Sequence, residues 1–360
     1  MDRRSFLKNT ALGGTAAAAT TLAAPAYAQG KRTLTMVTSW GRGLAGVFDA
    51  AQKTADNITA ITDGQLTVDV KAAGELVGAF EVFDAVTAGQ ADMYHAADYY
   101  FVNQHPGFAF FTAIPFGMTA TEMNNWYYTG NGQALHDELG EIFGLKPFLA
   151  GNTGTQAGGW FTKEVNTPED FQGLKFRMPG LGGAALGKLG ASIQNIPGGE
   201  VYQALASGAL DGTDWIGPWA DEKAGFSEIA KFYYTAGFHE PAAGLSVSLN
   251  RDVFDSLTPS QQAAIEVSAA HANVWNLSQY QMNNGAALGR LKAGGVTAYQ
   301  FSDSIWDALG AGTREVLDEA AQDDLFASIL DDYQGAMRAL AGWSSISEAI
   351  FVEQRSRLFG

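Results

Sequence analysis

Five residues between positions 156 and 240 have groups suited to holding an anion and a cation together. Arg177 lies in an alternating segment, residues 174–178, which a proline and a glycine follow. A guanidinium at the end of a strand suits a carboxylate, because its planar fork can donate two parallel hydrogen bonds. Two carboxylates and an amide supply the oxygen ligands that hard cations such as Ca²⁺ prefer. The constellation comprises Gln156, Arg177, Asp214, Trp215 and Glu240.

Three of these residues also have an ordinary structural explanation. Arg177 is equally compatible with a surface position on an edge strand, Asp214 with a turn and Glu240 with a solvated acid. Residue types and positions alone leave both explanations open.

The sequence offers little for covalent or redox catalysis. It has no cysteine, which excludes thiolate nucleophiles, thiolate zinc sites and disulfides. The five histidines lack the spacing of a zinc site, and we interpret most of them as structural. There is no nucleophile elbow, P-loop or dinucleotide-binding fingerprint. These absences favour a protein that binds a molecule over one that transforms it.

An internal repeat predicts how the constellation is positioned. Residues 81–92 match residues 200–211, and each copy has the pattern of a helix, a C-terminal glycine and a strand. Asp214 follows the strand of the second copy, so we expect it at the same sheet edge as Arg177. Two similar α/β lobes would leave a cleft between them, where small-molecule sites form. Chance similarity between two amphipathic helices is the alternative.

The order of predicted elements indicates an α/β fold with two lobes and parallel-type sheets. A capping box at residues 258–261 opens a long helix that reaches about residue 282 and spans both lobes. The C-terminal segment is predicted to be mostly helical. The predicted divisions are a signal peptide, residues 1–28; lobe I, residues 29–152 with parts of about 242–282; lobe II, residues 153–241 with parts of about 283–330; and a C-terminal helical extension, residues 331–360, which is a candidate dimerisation element.

Composition and the N-terminus indicate a globular, exported protein. Hydrophobic residues make up 46% of the 360 residues and charged residues 17%, which is typical of a folded chain. Arg3 and Arg4 precede a weakly apolar stretch and a small-x-small site at residues 26–28, the pattern of a twin-arginine signal peptide. The net charge of −16 disfavours nucleic acid or an anionic membrane as a partner, whereas one buried arginine can still bind a small anion.

Three motifs resemble the solute receptors of TRAP (tripartite ATP-independent periplasmic) transporters, the DctP type. They are EVYQALASGALDG at residues 200–212, LKFRMP at residues 174–179, and Asn250 with LTPSQQ at residues 257–262. The resemblance covers essentially all of the mature chain and is strongest to the α-keto-acid or lactate-binding branch. It implies a two-lobed periplasmic binding protein of the Venus-flytrap type, not an enzyme, that delivers a small organic acid to TRAP membrane subunits. In that branch it also implies a bound metal and a homodimer formed through the C-terminal helix.

The resemblance also implies roles for individual residues. Arg177 would grip the ligand carboxylate with both terminal nitrogens, while one carboxylate oxygen and a 2-oxo or 2-hydroxy oxygen chelate the metal. The metal ligands would be the side chains of Gln156, Asp214 and Glu240 and the carbonyl of Trp215, and two carboxylates favour Ca²⁺ over Na⁺. Tyr94 is a further candidate for the cleft wall, with a place in the core as its alternative. The residues expected to contact substrate are Trp40, Tyr99, Tyr100, Gln156, Arg177 and Trp215.

Three other functions stay open on the sequence alone. One is a receptor for a C4-dicarboxylate or a sugar acid, although such ligands usually need more basic or polar groups than the sequence offers. The second is an exported enzyme that processes keto acids, against which the lack of nucleophile–base pairs argues. The third is a sensory receptor that reports ligand binding to a kinase.

Overall fold

The computed structural model describes residues 30–359, so the predicted signal peptide, residues 1–28, lies outside the described residues. No helix in this range is long and apolar enough to cross a bilayer. Eleven strands of the described range form two sheets. They are β1 Arg32–Thr38, β2 Leu66–Lys71, β3 Met93–Ala96, β4 Leu145–Asn152, β5 Gly159–Phe161, β6 Lys175–Arg177, β7 Ser192–Gln194, β8 Gly212–Thr213, β9 Phe232–Thr235, β10 Gly244–Asn250 and β11 Thr297–Gln300.

Helices cover the faces of both sheets and form the C-terminal part of the molecule. Short 3₁₀ helices, among them Asp98–Phe101, lie in the connections. The α-helices are α1 Val47–Ile61, α2 Val82–Thr87, α3 Ala120–Thr129, α4 Gly132–Ile142, α5 Gly180–Lys188, α6 Val201–Ala206, α7 Pro218–Ala224, α8 Arg251–Asp255, α9 Pro259–Ala293, α10 Asp303–Ala320, α11 Asp324–Ser344 and α12 Glu348–Phe359.

Both sheets are mixed, whereas the sequence analysis expected parallel-type sheets. The first sheet has the order β2-β1-β3-β10-β4, in which β1, β2 and β3 are parallel and β10 runs antiparallel to both of its neighbours. The second has the order β11-β9-β5-β8-β6-β7, in which β5 runs antiparallel to β8 and β9. The reversed strands β5 and β10 each follow a crossing from one sheet to the other. A β-α-β connection joins parallel strands. A strand that follows a crossing between sheets has no such connection to its neighbours and can run antiparallel to them.

The two copies of the internal repeat occupy equivalent places in the two sheets. Helices α2 and α6 are each followed by a glycine with positive φ and then by a strand, and these strands pair in parallel with β1 and β6, respectively. In the first copy the backbone N–H of Thr35 donates to Asp92 Oδ2 at 2.7 Å. In the second copy the N–H of Lys175 donates to Asp211 Oδ2 at 2.9 Å. The repeat is therefore structural, and chance similarity is excluded as its explanation.

The long helix α9 joins the two lobes. It opens at the predicted capping box and packs against α1 and β4 of the first lobe and α7 of the second. Asn276 Nδ2 donates to the carbonyl of Gly46 at 2.9 Å in its first half, and Arg290 pairs with Glu222 in its last turns. Because that pair ties the helix end to α7, α9 continues to Ala293, about three turns beyond the predicted end.

The C-terminal helices α10 and α11 pack on the two lobes, whereas the last helix, α12, is exposed. Helix α10 packs on α5, and α11 returns to the first lobe. There Tyr333 Oη accepts a hydrogen bond from the N–H of Met118 at 2.6 Å, and Trp126 Nε1 donates to Asp332 at 2.7 Å. Within the described chain, α12 buries no residue. The exposed large apolar side chains at this end are Trp343, Ile346, Ile350, Phe351, Val352, Leu358 and Phe359.

Candidate functional site

A small cavity lies between the two lobes, where the ends of β6 and β8 face the 3₁₀ helix Asp98–Phe101. A larger groove of about 560 Å³ lies elsewhere, between α10, α11 and residues 114–117, but its charged side chains are exposed to solvent. The interlobe cavity is the candidate site, because buried charged groups meet beside it. The predicted substrate contacts that line it are Trp40, Tyr99, Tyr100, Gln156, Arg177 and Trp215.

Arg177 is the last residue of β6, a short strand paired on both sides. Its side chain is 1% exposed and lies over the ring of Trp215, 5.5 Å from the ring centre. Nη1 donates to Asp214 Oδ1 at 2.8 Å, Nε donates to the carbonyl of Ile196 at 3.3 Å, and Nη2 donates to Tyr100 Oη at 3.5 Å. Among the contacts of the described chain, this leaves one N–H on each terminal nitrogen. That pair is the arrangement needed to bind both oxygens of a carboxylate.

Three buried oxygens beside Arg177 have no hydrogen-bond partner within residues 30–359. They are Gln156 Oε1, Asp214 Oδ2 and Glu240 Oε2. The amide of Gln156 donates through Nε2 to Thr153 Oγ1 at 3.0 Å, so its oxygen is the free end. Buried acceptors without partners are costly, and a cation bound by all three would offset that cost. The residues therefore fit a hard cation such as Ca²⁺ or Na⁺.

The backbone fixes Asp214 and Glu240 at this place. Asp214 directly follows β8, and its N–H donates to the carbonyl of Arg177 at 3.0 Å. The N–H of Gln156 donates to the carbonyl of Glu240 at 3.0 Å, which joins two connections between the lobes. Burial, and then the charge of Asp214, raise the pKa of Glu240 well above its usual range, and the charge of Arg177 opposes the rise. A cation at this point would favour the ionised carboxylate.

A buried aspartate holds the turn that carries Trp215. Asp221 Oδ1 accepts from the N–H groups of Ile216 at 3.1 Å and Gly217 at 3.0 Å, and Oδ2 accepts from Trp160 Nε1 at 2.9 Å. Burial raises the pKa of Asp221 to about 7, although these hydrogen bonds lower it. Asp221 thus positions the residues after Asp214 without lining the cavity.

The aromatic residues predicted for the wall divide into two groups. Tyr99 and Tyr100 meet at 5.0 Å between ring centres, and Tyr100 lies 6.0 Å from Trp40, so these three form the first lobe's side of the cavity. Tyr94 lies outside the cavity lining. Its hydroxyl donates to Asp98 Oδ1 at 3.2 Å in a buried network, so its structural alternative is the correct one.

His239 lies at the site although no sequence pattern predicts it there. The side chain is buried, and its Nε2 lies 3.4 Å from Asp214 Oδ2. One ligand atom each of Asp214, His239 and Glu240 lies within 4.8 Å of the others. From the sequence we interpret the scattered histidines mostly as structural. The feature that could have indicated a role for His239 at the site is that it directly precedes Glu240.

Comparisons with known proteins identify the family of the chain. Residues 44–324 match the family of bacterial extracellular solute-binding proteins, family 7 (DctP). A monocarboxylate 2-oxoacid-binding periplasmic protein from Nostoc is 37% identical over 314 residues, which cover 87% of this chain and 86% of that protein.

Two solved structures have the same fold over nearly their full length. A TRAP solute-binding protein from Bordetella bronchiseptica, described as a mixed-occupancy dimer with calcium and picolinate, has a TM-score of 0.89 and 30% identity, covering 91% of this chain and 98% of that one. One from Pseudoalteromonas atlantica, with bound sodium and pyruvate, has a TM-score of 0.87 and 36% identity, covering 90% and 99%. The chain therefore belongs to solute-binding protein family 7, and it is a periplasmic solute receptor of a TRAP transporter and not an enzyme.

Proposed function

We propose that this receptor binds a small 2-oxo or 2-hydroxy monocarboxylate, such as pyruvate, another α-keto acid or lactate. One observation carries the proposal: three buried oxygens without a partner among residues 30–359, those of Gln156, Asp214 and Glu240, lie beside Arg177, which has an N–H left on each terminal nitrogen in the same range. Arg177 binds the ligand carboxylate, and the cation accepts one carboxylate oxygen and the oxygen on the adjacent carbon. The relatives with calcium and picolinate and with sodium and pyruvate support a chelated ligand.

A count of charges favours Ca²⁺ over Na⁺ as the cation. Three carboxylates would meet at the site, those of Asp214, Glu240 and the ligand, and Arg177 compensates one of them. A divalent ion neutralises the other two, whereas Na⁺ leaves one negative charge in a buried position. The carbonyl of Trp215 is the proposed fourth protein oxygen.

The proposed mechanism is closure of the two lobes around the ligand. Arg177 and Asp214 belong to the second lobe, and Tyr99, Tyr100 and Trp40 belong to the first. Ligand and cation contact groups from both lobes, so they stabilise the closed state relative to the open one. The closed receptor then delivers its ligand to the membrane subunits. Export by the twin-arginine pathway is part of the proposal and rests on residues 1–28.

The test of this function is a calorimetric titration of the calcium-loaded receptor. We expect pyruvate to bind and propionate, which lacks the 2-oxo oxygen, to bind far more weakly. Equal affinities would contradict the chelation, and a preference for a C4-dicarboxylate or a sugar acid would assign the receptor to another substrate class.

We also propose that the C-terminal extension, residues 331–360, forms a homodimer. Its first part is held in its own chain through Tyr333, so α12 with its exposed Phe351 and Ile350 is the surface offered to a second copy. The Bordetella relative is described as a dimer, which supports a dimer without specifying its interface. A two-fold dimer would use the same helix on both subunits.

Replacing both Ile350 and Phe351 by aspartate should convert the dimer to a monomer in light scattering, because two charges would enter an apolar interface. The matched control is Val274→Asp on α9, a side chain that is 55% exposed. A monomeric wild-type protein, or a dimer that survives the double substitution, would refute the proposed dimer.

A further inference from the structure

His239 is a buried imidazole whose ring nitrogens both lack a hydrogen-bond partner within the described part of the chain. The residue is 2% exposed. Histidines in protein interiors normally use at least one nitrogen as a donor or an acceptor, because an unpartnered buried polar group is costly. The buried His136 satisfies this rule. Its Nε2 lies 2.9 Å from Asp98 Oδ2, and its Nδ1 lies 3.0 Å from the hydroxyl of Tyr127.

The backbone holds His239 firmly toward the site. The N–H of Gly237 donates to the carbonyl of Gln156 at 2.9 Å, and the N–H of Gln156 donates to Glu240. The chain bends at His239, so its side chain and that of Glu240 approach the same point although they are consecutive. Gly182 packs behind the histidine, since a Cβ there would lie 2.5 Å from the Cβ of His239.

The spacing of the site's atoms indicates a shared cation and not a direct hydrogen bond. His239 Nε2 and Asp214 Oδ2 are 3.4 Å apart, longer than a good N–H···O hydrogen bond, and neither atom meets the criteria for one. Two ligands at right angles on a cation about 2.4 Å from each would be about 3.4 Å apart. Asp214, His239 and Glu240 all fall within such a coordination sphere.

We propose that His239 is a direct nitrogen ligand when a transition-metal cation occupies this site, beside the carboxylates of Asp214 and Glu240. The inference rests on the cation site of the proposed function. Imidazole is a good ligand for Zn²⁺ and Ni²⁺ and contributes little to Ca²⁺, which takes oxygen ligands. His239 therefore determines how strongly the receptor prefers these transition cations relative to calcium, and it extends the range of cations that can hold the same carboxylate ligand.

The test compares metal-stripped wild-type protein with His239→Gln and His239→Asn, which place an amide oxygen near the same position. We expect the affinity for Zn²⁺ to fall at least about 10-fold and that for Ca²⁺ to change by less than about 3-fold, because only the nitrogen ligand is lost. X-ray absorption of the Zn²⁺-loaded wild type should show imidazole scattering that both variants lack. His271→Gln, on the exposed side of α9, is the control and should change neither affinity.

The outcomes distinguish a failure of this inference from a failure of the proposed function. Equal losses for Zn²⁺ and Ca²⁺ in a folded variant, or a spectrum without imidazole scattering in the wild type, would overturn the role of His239 and leave the cation site intact. A wild-type protein that binds no cation would overturn both. Circular dichroism of the two variants shows that any loss comes from the site and not from unfolding.

Discussion

Arg177→Ala should reduce the affinity for the 2-oxo acid by about 100-fold or more, because truncating one partner of a buried charged pair costs roughly 2–5 kcal/mol. In the wild type Arg177 lines the cavity, and within residues 30–359 its guanidinium is held by Asp214, Ile196 and Tyr100 with one N–H left on each terminal nitrogen. The guanidinium is therefore held in position before the ligand arrives. Calorimetry with pyruvate at fixed calcium measures the loss.

Two further variants separate the clamp from general effects. Arg177→Lys keeps the charge but lacks the planar fork, so we expect an intermediate affinity. Arg42→Ala removes an arginine whose side chain is 58% exposed and pairs with Glu75, and it should bind pyruvate as the wild type does. A folded Arg177→Ala protein with unchanged affinity would remove Arg177 from the binding site.

Glu240→Gln should weaken calcium binding by at least about 10-fold, and pyruvate binding with it, because a charged oxygen ligand becomes neutral. The same change should raise the melting temperature of the cation-free protein. Glu240 is buried close to Asp214, and its raised pKa shows that the ionised form is disfavoured there when no cation is present. Stability without calcium and affinity for calcium should thus move in opposite directions.

Thermal unfolding with and without calcium measures both effects in one series. Glu228→Gln is the matched control, since Glu228 is an exposed acid of the same lobe that accepts a hydrogen bond from Tyr202. It should leave the calcium-dependent rise in melting temperature unchanged. An undiminished rise in Glu240→Gln would show that Glu240 is not a ligand.

Much of the site's position could be predicted from local sequence patterns. The alternating segment around Arg177 predicts the strand, and the repeat places the strand before Asp214 beside it. The pattern predicts one buried face, whereas Arg177 is buried together with Phe176 and Met178. The matching hydrogen bonds of Asp92 and Asp211 explain why the repeat is visible in the sequence: each aspartate anchors the start of the next strand to its neighbour. Because these contacts join short segments with a repeated pattern, residue types and spacing are enough to predict them.

The remaining features depend on contacts between distant segments. The antiparallel direction of β5 and β10 follows from the crossings between the lobes, which leave no periodic pattern in the sequence. The bend that brings His239 and Glu240 together is set by hydrogen bonds to Gln156, far away along the chain. Likewise the sequence pattern does not distinguish Tyr94 from Tyr99. In the structure Tyr94 donates to the buried Asp98 and belongs to the core, whereas Tyr99 lines the cavity.

The central claim is that a bound cation requires a second oxygen next to the ligand's carboxylate. Its most direct test is calorimetric titration of the calcium-loaded receptor with pyruvate and with propionate, which has the same carbon chain and carboxylate. We predict at least about 100-fold tighter binding of pyruvate, because the analogue leaves a built polar site unsatisfied, and the difference should vanish once calcium is chelated. Equal binding of the two acids to the calcium-loaded protein would contradict the claim.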